Sequence, residues 1–218
     1  MTQVTSTNSS LLHAEQLSSI RGGRVLFENL NFSVSAGQLW QVSGPNGAGK
    51  SSLLRILTGL LEPSAGAVYF NGEPLSQSWS EFCQQLLFIG HKAAVKSELS
   101  ALENFHWQQQ LSAVGTVDAW ELLEKLGLLG LEDELTARLS AGQQRRVALT
   151  RLWATQASLW ILDEPFTALD VQGIALLQQR FVEHLASGGT IIFTSHQSLT
   201  LSELAPEKLF LDAQGDAL

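Results

Sequence analysis

The chain has 218 residues, 44% of them apolar and 16% charged, which suits one compact globular domain, or one with a small insertion, and excludes a disordered chain. Lysine and arginine total 13 against 21 acidic residues, and the net charge of −8 argues against a protein built mainly to hold nucleic acid. The one cysteine, Cys83, rules out an internal disulfide scaffold and points to a reducing compartment.

Met1 to Ser10 is polar and uncharged, lacks the basic and apolar regions of a signal peptide, and reads as a disordered tail. Residues 11–218 then form one domain. No apolar run reaches the ~20 residues of a membrane helix. Val25-Leu26-Phe27 and Leu30 to Val34 predict strands, with a turn at Ser35-Ala36-Gly37. Leu39 to Ser43 predicts a strand, followed by a glycine-rich loop and a helix from about Lys50 to Leu60. Val68-Tyr69-Phe70 predicts a strand closed by the hairpin signal Asn71-Gly72. Within about 95–138, Leu102, Phe105, Leu122, Leu123 and Leu126 recur at helical spacing, with Gly127 and Gly130 as stops, so a small helical subdomain is expected. A helix is expected from Gly142 to about Gln156, a strand at Leu159–Leu162, a helix at Val171–Leu185 and a strand at Thr190–Thr194. Strands alternating with helices imply a mostly parallel sheet covered on both faces.

Gly44-Pro45-Asn46-Gly47-Ala48-Gly49-Lys50-Ser51 fits a phosphate-binding loop between a strand and a helix. Backbone N–H groups must converge on phosphate oxygens where the chain bends sharply, and the next helix offers its N-terminal N–H groups to the same anion. Lys50 would reach the β and γ phosphates, the Ser51 hydroxyl would ligate Mg²⁺, and Ser52 continues the anion-facing turn. Leu159 to Leu162 ends in Asp163-Glu164, carboxylates emerging where ligands bind in open parallel sheets. Asp163 suits Mg²⁺ and Glu164 suits a base that polarises water; a helix-capping acidic pair is the plainer alternative. Ser140-Ala141-Gly142-Gln143 opens another helix, either as a simple cap or as a second anion cradle. His196 follows strand Thr190–Thr194, and its place at the same sheet edge is the one reason to assign it to the γ-phosphate.

These elements, in this order, resemble the ATP-binding-cassette ATPase family over nearly the whole chain after the tail. The resemblance implies an α/β fold: a RecA-like phosphate-loop core, an N-terminal antiparallel β subdomain and an inserted helical subdomain. Leu139 to Gln143 looks like that family's signature, which implies a head-to-tail dimer with a second copy. Ser140 and Gly142 of one protomer would then meet the γ-phosphate held by the other, with Gln143 also among the nucleotide-site residues. Ala168-Leu169-Asp170 looks like the loop that links the two sites, which places Asp170 among the nucleotide-site residues.

Leu139 to Trp153, Leu159 to Ala168 and Leu102-Glu103-Asn104-Phe105 are further similar to the ATPase subunits of cytochrome c maturation systems. That similarity implies ATP turnover coupled to haem export or to release of a haem-loaded chaperone. It also implies integral membrane partners and a peripheral place on the cytoplasmic side of the bacterial inner membrane. An ATPase for a lipid, drug or metal transporter is the alternative, with a soluble ATPase behind it. No Cys-x-x-Cys-His motif is present, so direct haem ligation is not expected, and the six tryptophans read as core and interface residues. Two positions depart from the family. Lys92 stands where a glutamine is usual, with His91 as a possible substitute, and Arg21 stands where an aromatic ring usually stacks on adenine.

Overall fold

The computed structural model describes residues 10–112, 117–195 and 205–212. His196, and all of the expected tail except Ser10, lie outside these described residues.

β1 (Leu12–Arg21) and β2 (Arg24–Val34) form an antiparallel hairpin across the two-residue turn Gly22-Gly23. β3 (Leu39–Ser43) leaves this layer, and the chain returns to it after α1 (Lys50–Leu57). β4 (Ala65–Phe70) then pairs with β1, and β5 (Glu73–Pro74) follows across the Asn71-Gly72 turn, whose residues have φ of 51° and 83°. The order of this sheet is β2-β1-β4-β5.

The second sheet is parallel. It consists of β3, β6 (Leu86–Ile89), β7 (Leu159–Leu162), β8 (Thr190–Thr194) and β9 (Glu207–Phe210), in the order β6-β7-β8-β3-β9. α1 is packed between the two sheets: Leu53, Leu54, Ile56 and Leu57 share a cluster with Leu12, Phe27 and Phe70 on one side and Leu159, Ile161 and Ile192 on the other. The opposite face of the parallel sheet presents Trp160, Leu162, Ile191 and Phe193 to α5 (Ala141–Leu149) and α6 (Val171–Ala186). β7 is apolar on both faces because both are covered, the pattern of a buried parallel strand.

Besides α2 (Trp79–Gln85), the chain forms α3 (Ala101–Ser112) and α4 (Ala119–Lys125) between β6 and α5. Phe105, Leu122, Leu123 and Leu126 pack there with Leu139 and Val147. Val147 thus faces this helical cluster while Ala148 and Leu149 face the parallel sheet, so α5 joins the two.

Several elements differ from expectation. The two short strands at Val25–Phe27 and Leu30–Val34 are one strand, β2. Asn29 keeps it continuous at φ 51° by donating its N–H to the Ser18 hydroxyl at 3.1 Å. α1 stops at Leu57 rather than near Leu60. Gly59 and Leu60 donate back to the carbonyls of Ile56 and Arg55, both at 2.9 Å, closing a Schellman motif. α5 ends at Leu149 and tightens into a 3₁₀ turn at Thr150–Leu152, where the Thr150 hydroxyl bonds the Val147 carbonyl at 2.7 Å.

Candidate nucleotide site

The loop between β3 and α1 carries residues that cannot exchange for bulkier ones. Gly44 has φ 145°, and a Cβ there would lie 2.2 Å from the carbonyl oxygen of Leu211. Gly49 has φ 97°, and its Cβ would press to 2.9 Å of Leu26 on β2. Both conformations and both close approaches demand glycine. Ala48, buried beneath the loop, donates its N–H to the Pro45 carbonyl at 3.2 Å.

Lys50 begins α1, and its ammonium donates to the carbonyls of Gly44 and Pro45 at 2.8 and 3.0 Å. Burial pulls its pKa below the usual lysine range, opposed by the negative charges of Glu164 and Asp163.

Asp163 and Glu164 follow β7 directly. Asp163 is buried. Its N–H bonds the Ile89 carbonyl at 2.8 Å, and its carboxylate accepts the Thr194 hydroxyl at 2.7 Å. The same Thr194 oxygen accepts the Glu164 N–H at 2.8 Å. Glu164 has φ 53°, a conformation that costs a non-glycine residue about 1–3 kcal/mol and persists where its surroundings hold it. The ends of β6, β7 and β8 are therefore knitted together by one threonine and two carboxylate-bearing residues.

A cleft of about 530 Å³ lies between loop and carboxylates. Asn46, Gly47, Gly49, Lys50, Ser51, Ser52, Asp163 and Glu164 all line it, together with Leu26, His91 and Thr167. The structure thus brings most of the expected loop residues and both acids to one space. Gly44, Pro45 and Ala48 shape the loop from behind without lining it. At the departing positions, His91 lines the cleft while Lys92 is exposed and does not. Arg21 turns away to donate to the Glu62 carbonyl at 2.6 Å. Arg24, which the sequence did not single out, holds its guanidinium 3.7 Å from where a Gly47 Cβ would stand.

Ser140, Gly142, Gln143 and Asp170 do not line this cleft. Ser140 and Gln143 form a reciprocal capping box at the start of α5, with bonds of 2.8 and 3.3 Å. A Cβ on Gly142 would lie 3.2 Å from the Ala168 side chain. Asp170 caps α6 by accepting the Gly173 N–H at 2.8 Å. Arg146 ties this second group together, donating to the carbonyls of Ala168, Leu126 and Gly127 at 3.1 to 3.4 Å.

Two further residues escaped the sequence reading. Thr194 had one available signal: in the parallel pairing Leu162 lies beside Phe193, so the next residues, Asp163 and Thr194, meet at the sheet edge. Arg145 is buried, and its guanidinium donates to the carbonyls of Gly90 and Asp163. Burial lowers its pKa, while the Asp163 and Glu164 charges oppose the shift.

An anion cradle at a helix start, facing carboxylates across the C-terminal edge of a parallel sheet, defines a phosphate-loop nucleotide-binding domain. The family model described as ABC transporter matches residues 27–167. The cytochrome c biogenesis ATP-binding export protein CcmA of Idiomarina loihiensis is 88% identical over the whole of both chains. CcmA of Escherichia coli K12 is 49% identical over 88% of this chain and 92% of that protein. Among solved structures, the ATP-binding subunit of an ABC transporter superposes with a TM-score of 0.78 at 27% identity, over 94% of this chain and 87% of that one. A dimeric cassette in a post-hydrolysis state with ADP and Pi shares the fold, with a TM-score of 0.75 at 22% identity, over 93% and 94%. The chain belongs to the ABC transporter family, and it is an ATP-binding, ATP-hydrolysing cassette.

Proposed function

We propose that this chain is the ATPase subunit of a membrane complex for cytochrome c biogenesis, coupling ATP turnover to haem export or to release of a haem-loaded chaperone. The observation that carries this reading is full-length identity of 88% to a protein named for that export system. Among the described residues no helix is long and apolar enough to cross a membrane, which fits a subunit held peripherally by integral membrane partners on the cytoplasmic side of the inner membrane.

Lys50 and the loop N–H groups hold the triphosphate. Phosphoryl transfer asks the protein mainly to position groups and neutralise charge. The hard oxygen donors of Ser51 and Asp163, which line one cleft, fit Mg²⁺, a cation that keeps few protein ligands and shares the substrate's oxygens. When bound, Mg²⁺ would offset negative charge on the phosphates of the nucleotide. Glu164 takes a proton from the attacking water, with His196 aligning that water. Ser140, Gly142 and Gln143 lie outside the cleft of their own chain, which supports their serving the cleft of a second copy, with Asp170 between the two sites.

An affinity pull-down from detergent-solubilised membranes tests the assignment. Recovery of cytochrome c maturation membrane proteins is expected. Recovery of a lipid, drug or metal permease without them would overturn the specific function and leave the cassette chemistry standing.

A further inference from the structure

Arg145 is a buried cation that the proposed chemistry does not use. It sits on α5, five residues after Ser140, so the two are about 7.5 Å apart along a rigid helix. The guanidinium fork spans two strand ends. One arm donates to the carbonyl of Gly90, the residue before His91 of the cleft, and the other to the carbonyl of Asp163. Both acceptors are neutral. Burial lowers the pKa of the guanidinium, and the negative charges of Asp163 and Glu164 oppose that shift only in part. The next residue, Arg146, points the other way and grips the carbonyls of Ala168, Leu126 and Gly127. Two successive arginines therefore fasten one helix to both the cleft of its own chain and the loop around Ala168. A planar fork with fixed spacing transmits a shift of either strand end to the helix, which a flexible point charge does not.

We infer that Arg145 is a positioning residue that couples the nucleotide cleft of its own chain to Ser140, and through Ser140 to the cleft of a second copy. This rests on the reading that Ser140 acts across the dimer. An occupied cleft fixes the ends of β6 and β7, these fix Arg145, and α5 presents Ser140 in register.

The test uses the full chain, assembled with its membrane partners, in three variants: Arg145→Met, Arg145→Lys and Ser140→Arg. MgATP affinity is read by nucleotide titration, and turnover is read as kcat and as the Hill coefficient for ATP. For Arg145→Met, affinity should stay within about threefold of wild type, kcat should fall about tenfold or more, and the Hill coefficient should drop towards one. Arg145→Lys, which keeps the charge but loses the fork, should keep affinity and recover kcat only in part. If Arg145→Met does not fold, Arg145→Lys is read against the same expectations. Unchanged kcat and Hill coefficient in a folded variant would overturn the inference. So would an affinity loss as large as the kcat loss, because Arg145 would then serve its own cleft alone. Ser140→Arg separates the two failures: normal turnover in that variant removes the reading across the dimer, whatever the arginine variants do.

Discussion

Thr194 shows how much one hydroxyl can organise. It donates to Asp163 and accepts from Glu164, so the acid assigned to the metal and the acid assigned to the water are set by the same oxygen. Thr194→Val keeps the shape and removes both bonds. Turnover should fall about tenfold with little change in nucleotide affinity, and Thr194→Ser should restore most of it. A wild-type kcat in the valine variant would show that the hydroxyl positions nothing. Glu164→Gln keeps size and hydrogen bonding but cannot take the water's proton. It should bind ATP within about threefold of wild type and lose about 100-fold or more in turnover. Hydrolysis at the wild-type rate would move the base to another residue. The phosphate loop was readable in the sequence because its chemistry is contiguous. Thr194 and Arg145 were not, since they meet Asp163 across 31 and 18 residues and only the fold brings them together. Lys92 stood at the expected position, yet the adjacent His91 is the one that reaches the cleft.

Elements were legible where sequence runs have sharp borders and lie in the core. The expected limits of β3, β7 and β8 are the observed ones, because each is a short, largely buried segment that packs within the parallel sheet. β1 and β9 carried no such signal. β1 breaks its alternation at Gln16, which sits at φ 48° beside a shift in register. β9 is an edge strand with only Leu209 buried, so no apolar run announces it. The packing of α6 on β7 hides a titratable group of its own. His184 stacks on Trp160 with ring centroids 3.7 Å apart and planes 9° from parallel, and it faces the Ser158 carbonyl at 3.2 Å. Burial, with help from Arg180, pushes its pKa down to about 4 from 6.5. The folded state therefore favours neutral imidazole, and the associated stability is complete above about pH 6.5 and is lost as pH falls towards 4. Thermal melts of wild type and His184→Phe should show the wild type losing roughly 2–4 °C more between pH 7 and pH 5. Superimposable pH profiles would show that His184 does not titrate in this way.

At the scale of the molecule, the two sheets, the helix between them and the helical cluster make one frame that carries two separate groups of the expected site residues. The cleft gathers the loop and the acids, while the start of α5 and the loop before α6 gather elsewhere. The alternation of strands and helices made this parallel architecture readable, but the place of β9 beside β3 was not. β9 has a consequence for how the chain is made. Its continuation seats the phosphate loop: Leu211 donates to the Ser43 carbonyl at 2.8 Å and lays its own carbonyl against Gly44. Every other strand of the sheet precedes β9 in the chain and emerges earlier during translation. The ribosome therefore supplies the support for the glycine-rich loop last, and a nascent or prematurely terminated chain lacks the backbone against which that loop is set.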